Sequence, residues 1–452
     1  MNPYEKNWVL SDSMKSGVKV VSVVLLAGAL LFLAQVPREN FGWTLFLFTL
    51  AFGGMLGSYL LAGERVNFKR LLWIGILLRV CLFFEGPQWS EDGARFLWDG
   101  ELLRQGQNPY GLTPTQVQEQ LEEGSGLSAQ LFQELNSPNY YSVYPPLNQA
   151  FFWLSAWVAQ GSVAQGYLAL RCMLLFGEIG VFYLLWSLLV RFELLQKQIL
   201  LYWFNPLVIL EVVGNLHFEG FVLLFLLASL GSLSRQKLGW SGAFWGLAVG
   251  MKLLPFLLAP VFFFWKGVRT SLQFWGMAAG VLVLAFLPLV YWNSWENFLQ
   301  SLQLYQGKFE FNASIYYIFR AIGYELAGYN TIWYLTKFGM GITLLGAIWI
   351  SWKRSNASIF KIPSVWVQLY LLFFVLQPVV HPWYLLPGLG LSILTRQCTF
   401  LLWSFAVIFS YQAYSQTPVQ EQSLFLVLEY SLVLVGLYLD YFRKQRTATL
   451  GL

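Results

Sequence analysis

The sequence predicts an all-α, polytopic membrane protein of about 12–14 transmembrane helices, with a large early loop carrying amphipathic helices. Three observations predict it. Of the 452 residues, 57% are hydrophobic and 11% charged, where soluble domains carry about 25% charged residues. Apolar runs of helical length recur from end to end, which a single anchor does not need. Basic residues gather in short turns that fall on alternate sides, as cytoplasmic loops do.

The first run, 18–36, follows Lys6 and Lys15 and has Lys19 at its leading end. No small-residue cleavage site comes after it, so it reads as a retained helix. Spans at 41–63 and 70–86 follow, and then the polar loop 87–145. Residues 146–160 are apolar but short for a span, and read as a re-entrant or interfacial helix. Further spans fall at 167–190, 198–214, 218–233, 238–253, 254–266, 271–292, 331–352, 363–380, 383–396, 399–413 and 423–442. Neither a Gly/Ser linker nor a charge run marks off a soluble part, so residues 1–452 read as one membrane domain. Its extracytoplasmic loops are 87–145 and 293–330.

Alternation from a cytoplasmic N-terminus puts Arg65/Lys69/Arg70, Arg191/Lys197, Arg235/Lys237, Lys266/Arg269, Lys353/Arg354/Lys361, Arg396 and Arg443/Lys444/Arg446 inside. Both termini are then cytoplasmic, in an inner membrane. Loop 87–145 falls outside, with eight acids against two arginines, and its stretch Thr113–Asn136 reads as polar helices lying on the surface. Cys81, Cys172 and Cys398 are odd in number and lack metal-ligand spacing. No basic cluster suits nucleic acid.

The most informative segment is Glu91–Arg104, EDGARFLWDGELLR, with four acids and two arginines. In a helix, Asp92, Arg95 and Asp99 share one face. The outer turns add Asn215, His217 and Glu219, then Lys252, Asn312, Arg320, His381 and Tyr384, so both histidines of the chain lie on this side. Such a set suits transfer from an anionic lipid carrier. Asp92 could act as a general base towards a hydroxyl, or hold a divalent cation such as Mg2+ or Mn2+ with Glu91. Lys252, Arg320, His381 and Tyr384 suit a leaving phosphate. Asn215, His217, Glu219 and Asn312 suit sugar or acceptor hydroxyls, and Trp98 or Trp383 offers a face for a pyranose ring. Plainer roles stand beside these. Arg95 and Asp99 form an i,i+4 pair that supports the helix, Lys252 could snorkel, and Glu178 and Glu211 are buried acids for Arg79 or Arg171.

In order along the chain, SEDGARFLWDG with GQNPY, YPPL, NPLVILEVVGNLHFEG, KLLP, FNASIY and HPWY resemble the GT-C-fold polyprenyl-phosphate-sugar-dependent glycosyltransferases. The likeness is strongest to bacterial mannosyltransferase-like proteins related to the catalytic subunit of GPI mannosyltransferase I. It implies a GT-C-like fold and inverting transfer of a hexose, mannose by this likeness, from a polyprenyl-phosphate donor. The acceptor would be a glycan, lipid or protein hydroxyl on the extracytoplasmic face, with no tightly bound cofactor. It assigns the catalytic acid to Asp92. Glu91 stands where relatives often carry a second aspartate, which leaves open which acid acts and whether metal takes part. Two helices before the long loop also exceed the simplest layout of the fold. The competing class is a transporter or flippase of a lipid-linked saccharide; the absence of an internal repeat and the one-sided polar residues speak against it.

Overall fold

The computed structural model describes residues 12–120, 129–265 and 268–449. Among these the chain is helical, with one isolated β-bridge between Phe311 and Val379 as its extended pairing. Five helices are long and apolar enough to cross a membrane: Phe41–Leu61, Val163–Arg191, Ser271–Tyr291, Ile332–Lys353 and Ser423–Phe442. A sixth is broken, with Pro206–Gly214 and Glu219–Ser234 bent by 112°. The polytopic all-α class is therefore as expected, but full-length spans are fewer than the apolar runs suggested.

Proline explains much of the difference. The runs 254–266, 363–380 and 383–396 contain shorter pieces that start at or beside Pro255, Pro260, Pro363, Pro382 and Pro387. A proline lacks the N–H of the regular ladder and clashes with the turn before it, yet it fits the first turn of a new helix. Apolar composition thus continues where the helix does not.

The first large loop is less superficial than its polarity implied. Its leading helix, Asp92–Arg104, is buried from Gly93 to Leu102. It packs against Pro146–Ala159, where Gly100 meets the backbone of Phe152. The short helices Pro114–Gln120 and Ala129–Gln133 follow; residues 121–128 of the expected surface stretch lie outside the described residues. So does Lys266, and Lys6 among the N-terminal charges. Pro146–Ala159 has 14 residues, about 21 Å at 1.5 Å per residue, too short for a core of about 30 Å. It ends at Gln160 and Gly161, both with positive φ, and the chain turns back into Val163–Arg191, against which the short helix packs.

Buried charge ties this frame together. Arg79 and Glu178, both fully buried, pair at 2.8 Å, and Tyr202 donates to the same carboxylate at 2.8 Å. The Arg79 guanidinium also lies 3.7 Å over the Trp203 ring. Arg171 donates instead to the carbonyls of Phe83, Val213 and Gly214. It thereby fixes the turn that breaks the sixth span. The expected outer turns meet at this end of the bundle. At the other ends of the same helices, Arg191 donates to the Ser234 carbonyl at 2.6 Å and Trp265 to that of Ala357 at 3.0 Å.

Candidate active site

Asp92 is the first residue of its helix, with Glu91 at the N-cap. A carboxylate there faces unpaired backbone N–H groups and the positive end of the helix dipole. The two acids part company at this point. Glu91 pairs with Arg38, which also donates to the Trp89 carbonyl at 3.2 Å and lies 4.2 Å over the Tyr414 ring. Asp92 instead accepts from Asn136 at 3.3 Å through Oδ1 and turns Oδ2 towards His217 Nε2, 3.8 Å away. Its side chain remains 24% exposed, so a hydroxyl has access to it.

His217 comes from the break in the sixth span. Ile209–Gly214 is a wide π-helical turn, and buried Leu216 has a φ of 69°, a left-handed conformation that costs an L side chain about 1–2 kcal/mol. Asn215 accepts from the Trp89 N–H at 3.1 Å, so it anchors the loop in front of Asp92. His217 Nδ1 lies 3.1 Å from the Glu211 carbonyl and 3.0 Å from its carboxylate. Tyr411 donates to the other Glu211 oxygen. Glu211 thus serves His217 rather than an arginine, which corrects the expectation of a pair with Arg79 or Arg171. Glu178 does pair with Arg79 as expected.

Glu219 opens the next helix and pairs with Lys252, whose ammonium also lies 4.2 Å over the Tyr384 ring. The Tyr305 hydroxyl is 3.3 Å from that of Tyr384 and 2.9 Å from His381 Nε2. His381 stacks on Trp383 with centroids 4.4 Å apart, and Trp383 on His217 at 3.9 Å. Phe311 caps the row 5.0 Å beyond His381. Unbroken contact therefore runs from Asp92 through His217, Trp383, His381, Tyr305 and Tyr384 to Lys252 and Glu219. Burial, reinforced by Lys252 and His217, pushes His381 down to about 3, so it is neutral at physiological pH. Burial also raises the Tyr305 hydroxyl, with Asp92 adding to the effect, and keeps that hydroxyl a donor.

Other expected site residues lie apart from this group. Trp98 is fully buried and packs on Phe132, 5.7 Å between centroids, leaving no free face for a sugar. Asn312 donates to Glu429 at 2.9 Å and tethers its loop to the last helix. Arg320 pairs with Glu310 and lies 4.4 Å over the Tyr317 ring, and no contact joins it to Lys252 or His381 among the described residues. Arg95 and Asp99 form the expected pair at 2.8 Å, and Asp99 also accepts from Ser142 and Gln149. They clamp the helix to the following loop. Sequence reasoning missed Arg38, Asn136 and Tyr305, which carry no local signal: each is an ordinary residue for its loop or helix and gains meaning from a distant partner.

Among the described residues no group of three or more His, Cys, Asp or Glu gathers to hold a metal ion. Glu91 and Asp92 engage different partners, and the residues present do not form a two-carboxylate cradle.

A polytopic helical chain that brings a carboxylate, an ammonium and a wall of rings to one end has the parts of a membrane-embedded transferase. The chain belongs to the alpha-(1->6)-mannopyranosyltransferase family (MptA_B): the model of that family's N-terminal domain matches residues 7–267, more than half of the chain. It is thus a mannosyltransferase-type glycosyltransferase. No curated protein and no solved structure matches it.

Proposed function

We propose that the protein transfers mannose from a polyprenyl-phosphate donor to an acceptor hydroxyl at the extracytoplasmic face, with inversion. The observation that carries this reading is the continuous contact from Asp92 to Lys252, which joins a base to a phosphate-binding cation across one aromatic wall. The basic turns at the other ends of the helices support the assignment of sides.

In this mechanism Asp92 removes the proton from the acceptor hydroxyl as its oxygen bonds to the anomeric carbon. The bond from that carbon to the phosphate oxygen breaks, and Lys252 offsets the charge that develops on the leaving polyprenyl phosphate. Tyr384, whose ring lies under the Lys252 ammonium, and Tyr305 beside it would supply hydroxyl donors to the same oxygens. Trp383, stacked between His217 and His381 and 9% exposed, offers no more free face to a sugar than Trp98 does, so its part is to hold the two histidines in line. The family description specifies an α-(1→6) bond, so the acceptor is a primary 6-hydroxyl. Inversion to an α product then requires a β-linked donor. No step is routed through a metal.

The test is transfer from radiolabelled mannosyl polyprenyl phosphate in proteoliposomes. Asp92→Asn should lose about 10²–10⁴-fold in rate, the usual contribution of a positioned base. Glu91→Gln, which removes a partly exposed ion pair, should stay within a few-fold of wild type. Full activity in Asp92→Asn would remove the base assignment, and a wild-type protein that moves the intact donor without cleaving it would make the protein a flippase.

A further inference from the structure

We infer that His217, oriented by Glu211, is the proton acceptor standing behind Asp92. The inference rests on the transfer reading above and adds a member to its proton path. Nδ1 hydrogen-bonds the backbone carbonyl of Glu211 at 3.1 Å, and the Glu211 carboxylate oxygen Oε2 lies 3.0 Å away outside hydrogen-bond geometry. The ring proton therefore sits on Nδ1, and Nε2 presents a lone pair. Nε2 is buried, has no hydrogen-bond partner, and lies 3.8 Å from Asp92 Oδ2. A buried polar atom without a partner is uncommon and calls for an explanation.

The surroundings fit that task. His217 is about 3% exposed and lies flat on Trp383, so its ring cannot turn to seek another partner. Glu211 is itself fixed by the Tyr411 hydroxyl. The charged or titratable groups around the ring are Asp92 on one side, Glu211 with Tyr411 behind it on the other, and His381 beyond Trp383. The Glu211 carbonyl orients the imidazole at one nitrogen, with its carboxylate charge beside it, while the other nitrogen faces the reacting group, the logic of a base held by a third residue.

The proton balance closes. Asp92 takes the hydroxyl proton as the new C–O bond forms. A shift of about 1 Å brings Oδ2 to hydrogen-bond distance of Nε2. The proton then passes to Nε2, giving an imidazolium whose charge faces Glu211 and a carboxylate ready for the next acceptor. The imidazolium gives its proton up to water through Asp92, whose side chain is 24% exposed, before the next turnover. His217 acts through Asp92, which makes it a positioning and relay residue.

The experiment uses the full chain in proteoliposomes with the labelled donor. His217→Gln should lower kcat about 10²-fold and leave KM for the donor within about two-fold. His217→Ala should regain activity with added imidazole and regain less with 1,2,4-triazole, a weaker base of similar size. Equal recovery with the two azoles would mean that the ring only fills space, and would overturn the inference, as would a wild-type kcat in His217→Gln. If His217→Gln does not hold its fold, judged by its thermal midpoint in detergent, Glu211→Gln reads the same link. It keeps the shape and an acceptor for Tyr411, and a wild-type kcat there also overturns the relay. Failure of the wild-type protein to transfer mannose would instead sink the functional reading itself, so the two outcomes are separable.

Discussion

Gly100→Ala sets two effects of opposite sign against each other. Helix propensity alone favours alanine in a helix interior by about 0.5–1 kcal/mol. The packing opposes it: a Cβ at Gly100 would lie 2.2 Å from the Phe152 carbonyl oxygen and 2.6 Å from its carbon. Ordinary contact begins near 3.4 Å, so the crossing must open by roughly 1 Å, since the obstacle is backbone and cannot swing aside. Overpacking of this kind typically costs about 1–3 kcal/mol, which exceeds the propensity gain. Gly100 is eight residues from Asp92 along the same helix, about 12 Å, so the displacement reaches the carboxylate. A misplacement of about 1 Å at a reacting group can cost about 10²-fold in rate. The assay is thermal unfolding in detergent together with kcat from labelled donor. A variant with a raised midpoint and wild-type turnover would refute the claim that this crossing sets the position of Asp92.

Other expected outcomes test the neighbouring contacts. Asp99→Ala leaves the buried Arg95 guanidinium without its carboxylate, and should cost about 3–5 kcal/mol, seen as a lowered thermal midpoint; a neutral result would mean the clamp contributes nothing. Lys252→Gln should weaken donor binding by about 10–100-fold, read as KM, because a charge-assisted contact to phosphate contributes about 1.5–3 kcal/mol. An unchanged KM would move the phosphate elsewhere. The unfolded chain protonates His381 near 6.5 and the native chain only near 3. Stability from this group is therefore complete above pH 6.5 and falls as the pH drops towards 3, by about 2 kcal/mol at pH 5. His381→Phe retains a ring for the stack and should flatten that part of the stability profile; an unchanged slope would show that another group sets it.

Hydropathy was enough to read an all-α membrane protein. Spacing along one helix anticipated the Arg95–Asp99 pair, because partners four residues apart are neighbours by helical geometry alone. The number of full spans was not legible in the same way. An apolar run keeps its hydropathy when Pro255 or Pro382 interrupts the helix, so composition overstated continuity.

What the tertiary structure alone decided is which partner each charged group takes. Glu91 meets Arg38 across 53 residues, Trp89 meets Asn215 across 126, and Tyr411 meets Glu211 across 200. No local period encodes such separations; they follow from how helices with polar ends pack at one edge of an apolar bundle. That packing separated Asp92 from Glu91, stacked both histidines on Trp383, buried Trp98, and left Arg320 with Glu310. The sequence by itself determined the class of protein and pointed to Asp92 as the candidate base. The surroundings of that acid had to come from the fold, because buried polar groups take the partners that packing supplies.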